Sequence, residues 1–496
     1  MKRGMKAAGW GAALLIASLC ANTLHARTAP PRADRVLEAQ MRRHIATLAS
    51  DEFGGREPGT DGEIRTLRYL VEQWFGIGLV SGTNDPGKDW FAPVQLLERT
   101  PAASVAQFQR GGRRLYVPAD SVLVLTSGKR SLVREAPVLF VGKGDGPIPR
   151  RSDLAGRVAL LLDGGRDTSD RQSALLAGGA SAVLTVLDGE RTLEGVAARR
   201  RRAGYALASD TLGGDLEGFI SRYAMDRLLQ GIGSSVDHLQ AQASRSGFAP
   251  QMLDLNASLE ATSTETNIRT HNLIGKLPGR KPGSGAVLFL AHWDHFGTCA
   301  EKPAEDLVCN GAIDNASGLA ALTETARRLA SGPRGDRDIY FVATTAEEFG
   351  LLGAHAFAEN PPLPIKQIVA AFNIDSIAIS PAGADLAIVG RGLTRLDRPI
   401  EEVARRQKRR VISGDAANAY VRRQDGWALL QHDIPAVMVT SAYADISRIE
   451  RFFDTVYHRP DDNPDAVIEL GGAMEDVAFY VALGRWFADS RKVPAP

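Results

Sequence analysis

GAVLFLAHWDHFG, residues 285–297, is the stretch whose reading decides how this chain folds. Residues 285–290 form a continuous apolar run, the length of a strand and shorter than a typical helix. A strand without polar alternation is covered on both faces, which is the habit of parallel strands in α/β proteins. The run then gives way to His292, Asp294 and His295, so a buried strand delivers polar side chains at its end. Ligands bind at the carboxyl ends of strands in open α/β sheets.

The same grammar continues downstream. Strand patterns at 338–344, 367–374 and 434–440 alternate with helical patterns at 316–330, 350–359, 399–407 and 471–489. Upstream, 34–49 and 62–75 carry helical periodicity around a turn-rich segment, DEFGGREPG (51–59), and glycines at 76–82 close the second helix. From 90 to 126 the pattern predicts short strands with turns. Buried strands are expected at 136–142, 156–163 and 182–187, with a small-residue helix at 173–179. The block 115–258 contains no cluster of histidines and acids and reads as a separate, non-catalytic module. The expected division is a signal segment at 1–26, a catalytic part at 34–114, the module at 115–258, and a second catalytic part at 259–490.

Composition excludes several classes. The 496 residues are 44% hydrophobic and 24% charged, those of an ordinary globular chain of two or three domains. A formal net charge of +1 leaves no footprint for nucleic acid. Two basic runs, 199–202 and 405–410, each read as the solvated face of a helix. Lys2, Arg3 and Lys6 precede an apolar stretch at 7–21, the layout of a secretory signal cleaved after Ala21 or Ala26. Asn22 and His25 end that stretch before the ~20 residues a membrane anchor needs, and Leu19 before Cys20 argues against a lipoprotein. A periplasmic or secreted location follows, with no stable membrane span after processing. In that oxidising setting Cys299 and Cys309, ten positions apart, favour a disulfide over two free thiols.

Five motifs carry the chemistry. In AHWDHFG (291–297), His292 and Asp294 point the same way on an extended chain, so Asp294 is expected to accept from the imidazole N–H that faces away from a metal. His295 alternates to the other side and is expected to be supporting or structural. In NGAIDNASG (310–318), Asp314 precedes small residues that let the backbone approach a metal centre, and a helix follows; alone it reads better as an N-cap. In TTAEEFGLLG (344–353), Glu347 and Glu348 leave a buried strand together, which is costly without counter-charge. A pair of metal ions supplies that charge. FNIDSIA (372–378) ends a strand at Asp375, and YHRPDD (457–462) places His458 in a loop beside Tyr457. Two imidazoles and three carboxylates suit two neighbouring Zn²⁺ ions when one carboxylate bridges them.

Together these strings, with the entry segment LASDEFGGREPGTDGE (48–63), resemble the M28 family of zinc metallopeptidases, in the branch with an inserted protease-associated (PA) domain. The resemblance spans nearly the whole mature chain. It implies an α/β fold, a three-layer sandwich with a mostly parallel central sheet of the zinc-exopeptidase type, plus an inserted β-rich PA-like domain. It implies two Zn²⁺ bridged by Asp314, with His292 and Asp375 completing one site and Glu348 and His458 the other. Glu347 would be the general acid/base, Asp294 the partner of His292, and Tyr457 a stabiliser of the oxyanion. A cis Asp314–Asn315 peptide is also implied. The expected activity is an aminopeptidase acting on peptide or protein N-termini. Nothing in the sequence fixes the oligomeric state.

One departure concerns the substrate side. Where relatives often carry Ser-Asp-His followed two residues later by Phe, this chain has Gln424-Asp425-Gly426-Trp427-Ala428-Leu429, with Gly426 at the histidine position, and Ser376 stands where Met is common. Side-chain preference therefore does not transfer. A carboxypeptidase or dipeptidase on the same fold would need a cation near the substrate carboxylate, and the sequence identifies none. A binding protein that lost catalysis would lack ligands or the base, and a glutaminyl-cyclase-like enzyme would use a single zinc; the full ligand set argues against both.

Overall fold

The computed structural model describes residues 34–144, 146–164, 168–189, 191–202, 204–210, 214–300, 302–465 and 468–494. The signal reading of 1–26 lies outside them. Two long strands, β1 (Phe91–Arg110) and β2 (Gln251–Leu277), pair antiparallel along most of their length. The chain then supplies β3 (Ala286–His292), β4 (Asp338–Thr344), β5 (Ile368–Asn373) and β6 (Ala436–Thr440). Their spatial order is β6-β5-β3-β4-β2. β3 lies parallel to both β4 and β5, and β5 parallel to β6, whereas β2 closes the set antiparallel to β4.

β3 is buried along its whole length, as an unbroken apolar run requires. Val287, Phe289 and Ala291 face one layer of helices: α1 (Arg35–Leu48), α2 (Asp61–Ile77), α3 (Gly318–Ala330) and α4 (Leu470–Phe487). Ala286, Leu288 and Leu290 pack on the opposite side with Tyr340, Val342, Phe357 and Leu429. This is the expected three-layer sandwich. Each fully buried Val, Leu or Phe contributes ~1.5–3 kcal/mol before entropy is counted. The helices begin where the sequence signals: the Asp34 carboxylate accepts from the Leu37 amide at α1, and the Thr60 hydroxyl from Gly62 at α2. α2 stops at Gly78, whose φ of 89° is left-handed and free of strain only for glycine.

Residues upstream of β2 build a second layered unit. Strands Arg130–Phe140, Val158–Leu162, Ala182–Val186 and Leu216–Ile220 lie side by side in parallel around a core that includes Val158, Leu160, Leu184 and Leu228. Helices Arg222–Gln230 and Val236–Ala243, which the sequence did not reveal, cover this core. They are short, so they span barely two periods of an apolar pattern. Strand β1 also differs from the short strands anticipated at 90–126. It is long because β2 offers it a continuous partner, Phe91 to Gln109 opposite Leu273 to Asn256. β2 runs without a break across positions 258 and 259, so one continuous sheet spans both units.

The second basic run is not wholly helical. The helix Asp397–Arg406 ends inside it and Lys408 takes a φ of 55°. Arg409 then pairs with Asp476 at 3.2 Å, while Arg405, Arg406 and Arg410 remain on the solvated surface, where Arg410 pairs with Asp385. Among the described residues no helix is long and apolar enough to cross a membrane.

Candidate metal centre

All six predicted acids and histidines meet at one edge of the sheet. His292 is the last residue of β3, Glu347 and Glu348 follow β4, and Asp375 follows β5. Asp314 lies in a distorted turn, Ala312–Ser317, ahead of α3, and its peptide bond to Asn315 is cis. The Asn315 side chain ties that turn to the end of β5. It donates to the Ile374 carbonyl at 3.0 Å and accepts from the amides of Gly318 at 3.0 Å and Ser376 at 3.2 Å. His458 arrives from the loop before α4 with a φ of 58°.

Asp314 divides its two oxygens between two imidazoles. Oδ1 lies 3.1 Å from His292 Nε2, and Oδ2 lies 3.4 Å from His458 Nε2. His292 Nε2 also sits 3.6 Å from Asp375 Oδ1, and His458 Nε2 2.9 Å from Glu348 Oε2. Neither Nε2 has a hydrogen-bond partner. His292, Glu347 and Asp375 present ligand atoms within 4.8 Å of one another, as do His292, Asp314 and Glu348. Buried nitrogens left without partners, converging with carboxylates, are the donor chemistry that a metal completes.

Two expectations need correction. Asp294 does not take the His292 N–H on its carboxylate. His292 Nδ1 lies 3.1 Å from the Asp294 main-chain carbonyl and 3.8 Å from its Oδ1. The carboxylate is drawn instead to the amides of Glu347 at 3.1 Å and Glu348 at 3.3 Å, so it aligns the loop that carries both glutamates. His295, three residues past the end of β3, is not turned away from the site: its Nδ1 contacts Glu348 and its Nε2 is unpartnered. Tyr457 stacks on His458 with ring centroids 3.6 Å apart. Cys299 and Cys309 are joined in a disulfide, with Cα atoms 5.6 Å apart, in the loop between β3 and the Asp314 turn.

The electrostatics follow from burying so many acids together. Burial, then the charges of Asp375 and Glu348, hold the Glu347 carboxyl well above its ordinary range, although His292 opposes them. Asp314 goes the other way: burial works against its charge, but His292 and His458 overcome it. For His458, burial disfavours the cation, yet Glu348 and Asp314 lift its pKa to about 9. Burial raises Asp294 to about 7.

Three further residues shape the centre and were not singled out from sequence. The Asp462 carboxylate accepts from the amides of Ile313 at 2.8 Å and Asp314 at 3.0 Å, fixing the turn. Arg56, fully buried, donates to the carbonyls of Trp293, Leu48, Asn310 and Gly311 behind the site. Tyr443, just past β6, has its phenol held above the usual range by burial and then by Asp375 and Asp314. YHRPDD and DEFGGREPG contained the first two, but no periodicity marks a residue that serves a distant loop.

The chain resembles known proteins in fold and in local sequence. The aminopeptidase from Aneurinibacillus sp. strain AM-1 superposes with a TM-score of 0.55 at 18% identity, over 90% of this chain and 92% of that one. Aminopeptidase YwaD of Bacillus subtilis (strain 168) is 34% identical over 117 residues, 23% of this chain and 23% of its own length. The alkaline phosphatase isozyme conversion protein of Escherichia coli (strain K12) is 30% identical over 129 residues, 24% of this chain and 36% of its own. The chain thus spans well under half the length of these curated relatives. The sequence model of Peptidase family M28 matches residues 272–481, the segment that holds His292, Asp314, Glu347, Glu348, Asp375 and His458.

Proposed function

We propose that this chain is an exported di-zinc aminopeptidase that removes residues from the N-termini of peptides or proteins. One observation carries the reading: Asp314 splits its carboxylate between His292 and His458, each backed by its own acid and each with an unpartnered Nε2. That donor set fits two zinc ions: His292 and Asp375 would hold one, His458 and Glu348 the other, and Asp314 would contribute to both. When bound, the zinc ions supply Lewis acidity and a water acidic enough to lose its proton near neutral pH.

The residues of the chain do the rest. Glu347 is the general base that takes the proton of the attacking water and returns it to the leaving amine. Its high intrinsic basicity in this buried, acid-crowded setting suits proton transfer in both directions. Asp294 holds the Glu347–Glu348 loop through its two amide contacts, so the base and its neighbouring ligand keep one geometry. Tyr457 is our choice for the donor that meets charge developing on the carbonyl oxygen, and the Tyr443 phenol lies close to the same acids.

Residues 115–258 are read as the inserted PA-like module. It meets the catalytic part at Tyr205, whose ring stacks on Phe349 at 4.0 Å, next to Glu348. We assign it a role in screening substrates; deleting it should change peptide-length preference, and unchanged kinetics would refute the role. The signal-like N-terminus and the disulfide support export. The deciding experiment measures zinc per chain and compares aminoacyl nitroanilides with N-blocked peptides. Two zincs and cleavage of unblocked substrates alone are expected; cleavage of blocked peptides would overturn the aminopeptidase reading.

A further inference from the structure

The sequence offers no obvious cation for a substrate carboxylate, but the fold brings one to the metal centre. Arg423 ends the short helical segment Ala416–Arg423, two positions before the buried Asp425. It is exposed, yet its guanidinium is held against aromatic rings: Cζ lies 4.4 Å from the Phe453 centroid and 5.4 Å from that of Tyr457. Tyr457 is the ring stacked on His458. The ionisable groups that Arg423 faces include the Tyr457, Tyr443 and Tyr420 phenols and the Asp314 carboxylate. Among the described residues no carboxylate lies within 4.0 Å of its guanidinium nitrogens.

The contrast with Arg56 sharpens the point. Arg56 sits on the closed side of the same acids and commits its donors to four carbonyls. Arg423 sits on the solvent side and keeps its fork uncommitted to any acid. A guanidinium matches a carboxylate in planar, two-pronged fashion, and it stays charged at every working pH. Stacking on Phe453 and Tyr457 holds it in place, so less rotamer freedom is lost when it binds.

We propose that Arg423 is a specificity-determining residue that receives a substrate carboxylate close to the scissile bond. The favoured substrates then carry either the α-carboxylate of a dipeptide or an acidic side chain on the N-terminal residue. This inference rests on the aminopeptidase reading above.

The test uses the zinc-loaded full chain and two matched pairs of probes. One pair is Leu-Gly and its C-terminal amide; the other is Glu-p-nitroanilide and Leu-p-nitroanilide. Wild type should prefer the carboxylate-bearing member of at least one pair by about tenfold in kcat/KM, the scale of one charge-assisted hydrogen bond at a wet site. Arg423→Gln should bring that ratio close to one, and Arg423→Glu should invert it. Arg423→Lys keeps the charge without the fork and should retain part of the preference, which also guards against a misfolded glutamine variant. The dipeptide pair identifies the α-carboxylate as the ligand, and the anilide pair identifies the acidic side chain. Equal turnover within both pairs by wild type, or a preference that survives Arg423→Gln, overturns the Arg423 assignment and leaves the aminopeptidase standing. No turnover of any probe removes both.

Discussion

Replacing Arg56 by Met tests the idea that a buried cation props up the metal centre from behind. Its guanidinium donates to Trp293 O at 2.8 Å, Leu48 O at 2.9 Å, Asn310 O at 2.5 Å and Gly311 O at 3.0 Å. Burial lowers its pKa only to about 10, because Asp314, Asp462, Asp294 and Glu348 oppose the loss of charge, so it remains a cation at neutral pH. At ~1.5 kcal/mol for each bond from a charged donor, four bonds set an upper figure near ~6 kcal/mol. Removing a buried guanidinium also removes its own desolvation cost, which brings the net loss to ~3–5 kcal/mol. Methionine fills much of the volume, so little of that loss comes from a cavity.

The loss should depend on metal. Without zinc, Arg56 is, among the described residues, the one fully buried guanidinium set against the acids of the site; with zinc, the ions would take over that role. Paired thermal melts with and without a chelator should therefore show Arg56→Met costing more in the metal-free protein. A drop of at least ~5 °C is expected there, at ~2–4 °C per kcal/mol or somewhat less for a long chain. A metal-free variant that melts within about 1 °C of wild type would refute the reasoning.

Other expectations can be checked separately. Glu347→Gln should keep both zincs but lower kcat by ~10²–10⁴, the usual contribution of a general acid–base, with metal content measured alongside turnover. Asp462→Asn replaces an acceptor-only group with one that presents an N–H to the Ile313 or Asp314 amide. Zinc should dissociate ~10–100-fold more readily in a competition titration, as happens when groups supporting a ligand are lost. The metal-free protein should lose stability with rising pH between about 6.5 and about 9. His458 has a folded pKa raised to about 9, so its contribution is complete below its unfolded value of ~6.5 and vanishes above about 9. Melts across that window in chelator should fall, and a flat profile would remove His458 from this role.

The edge of the sheet was legible because strand ends are written locally. Residues 285–290 and 338–344 announce buried strands by composition alone, and both led straight to site residues. The long β1 was not legible, since its length depends on β2 lying beside it some 160 positions later. Asp294 was placed in the right neighbourhood and given the wrong partner. Extended-chain geometry predicts direction, but the competing amides of Glu347 and Glu348 come from another strand.

By itself the sequence determined the α/β class, the strands and helices that frame the candidate site, and which six acids and histidines to propose for it, because periodicity and short motifs act over a few residues. Only the tertiary structure decided that Asp314 faces two imidazoles, that Asp462 caps its turn from 148 positions away, and that Arg56 reaches a carbonyl 254 positions distant. It also decided that Arg423 stands over Tyr457. Those contacts join side chains whose separation along the chain carries no local signal, and they form because packing the sheet and its helices leaves each charge one place to go.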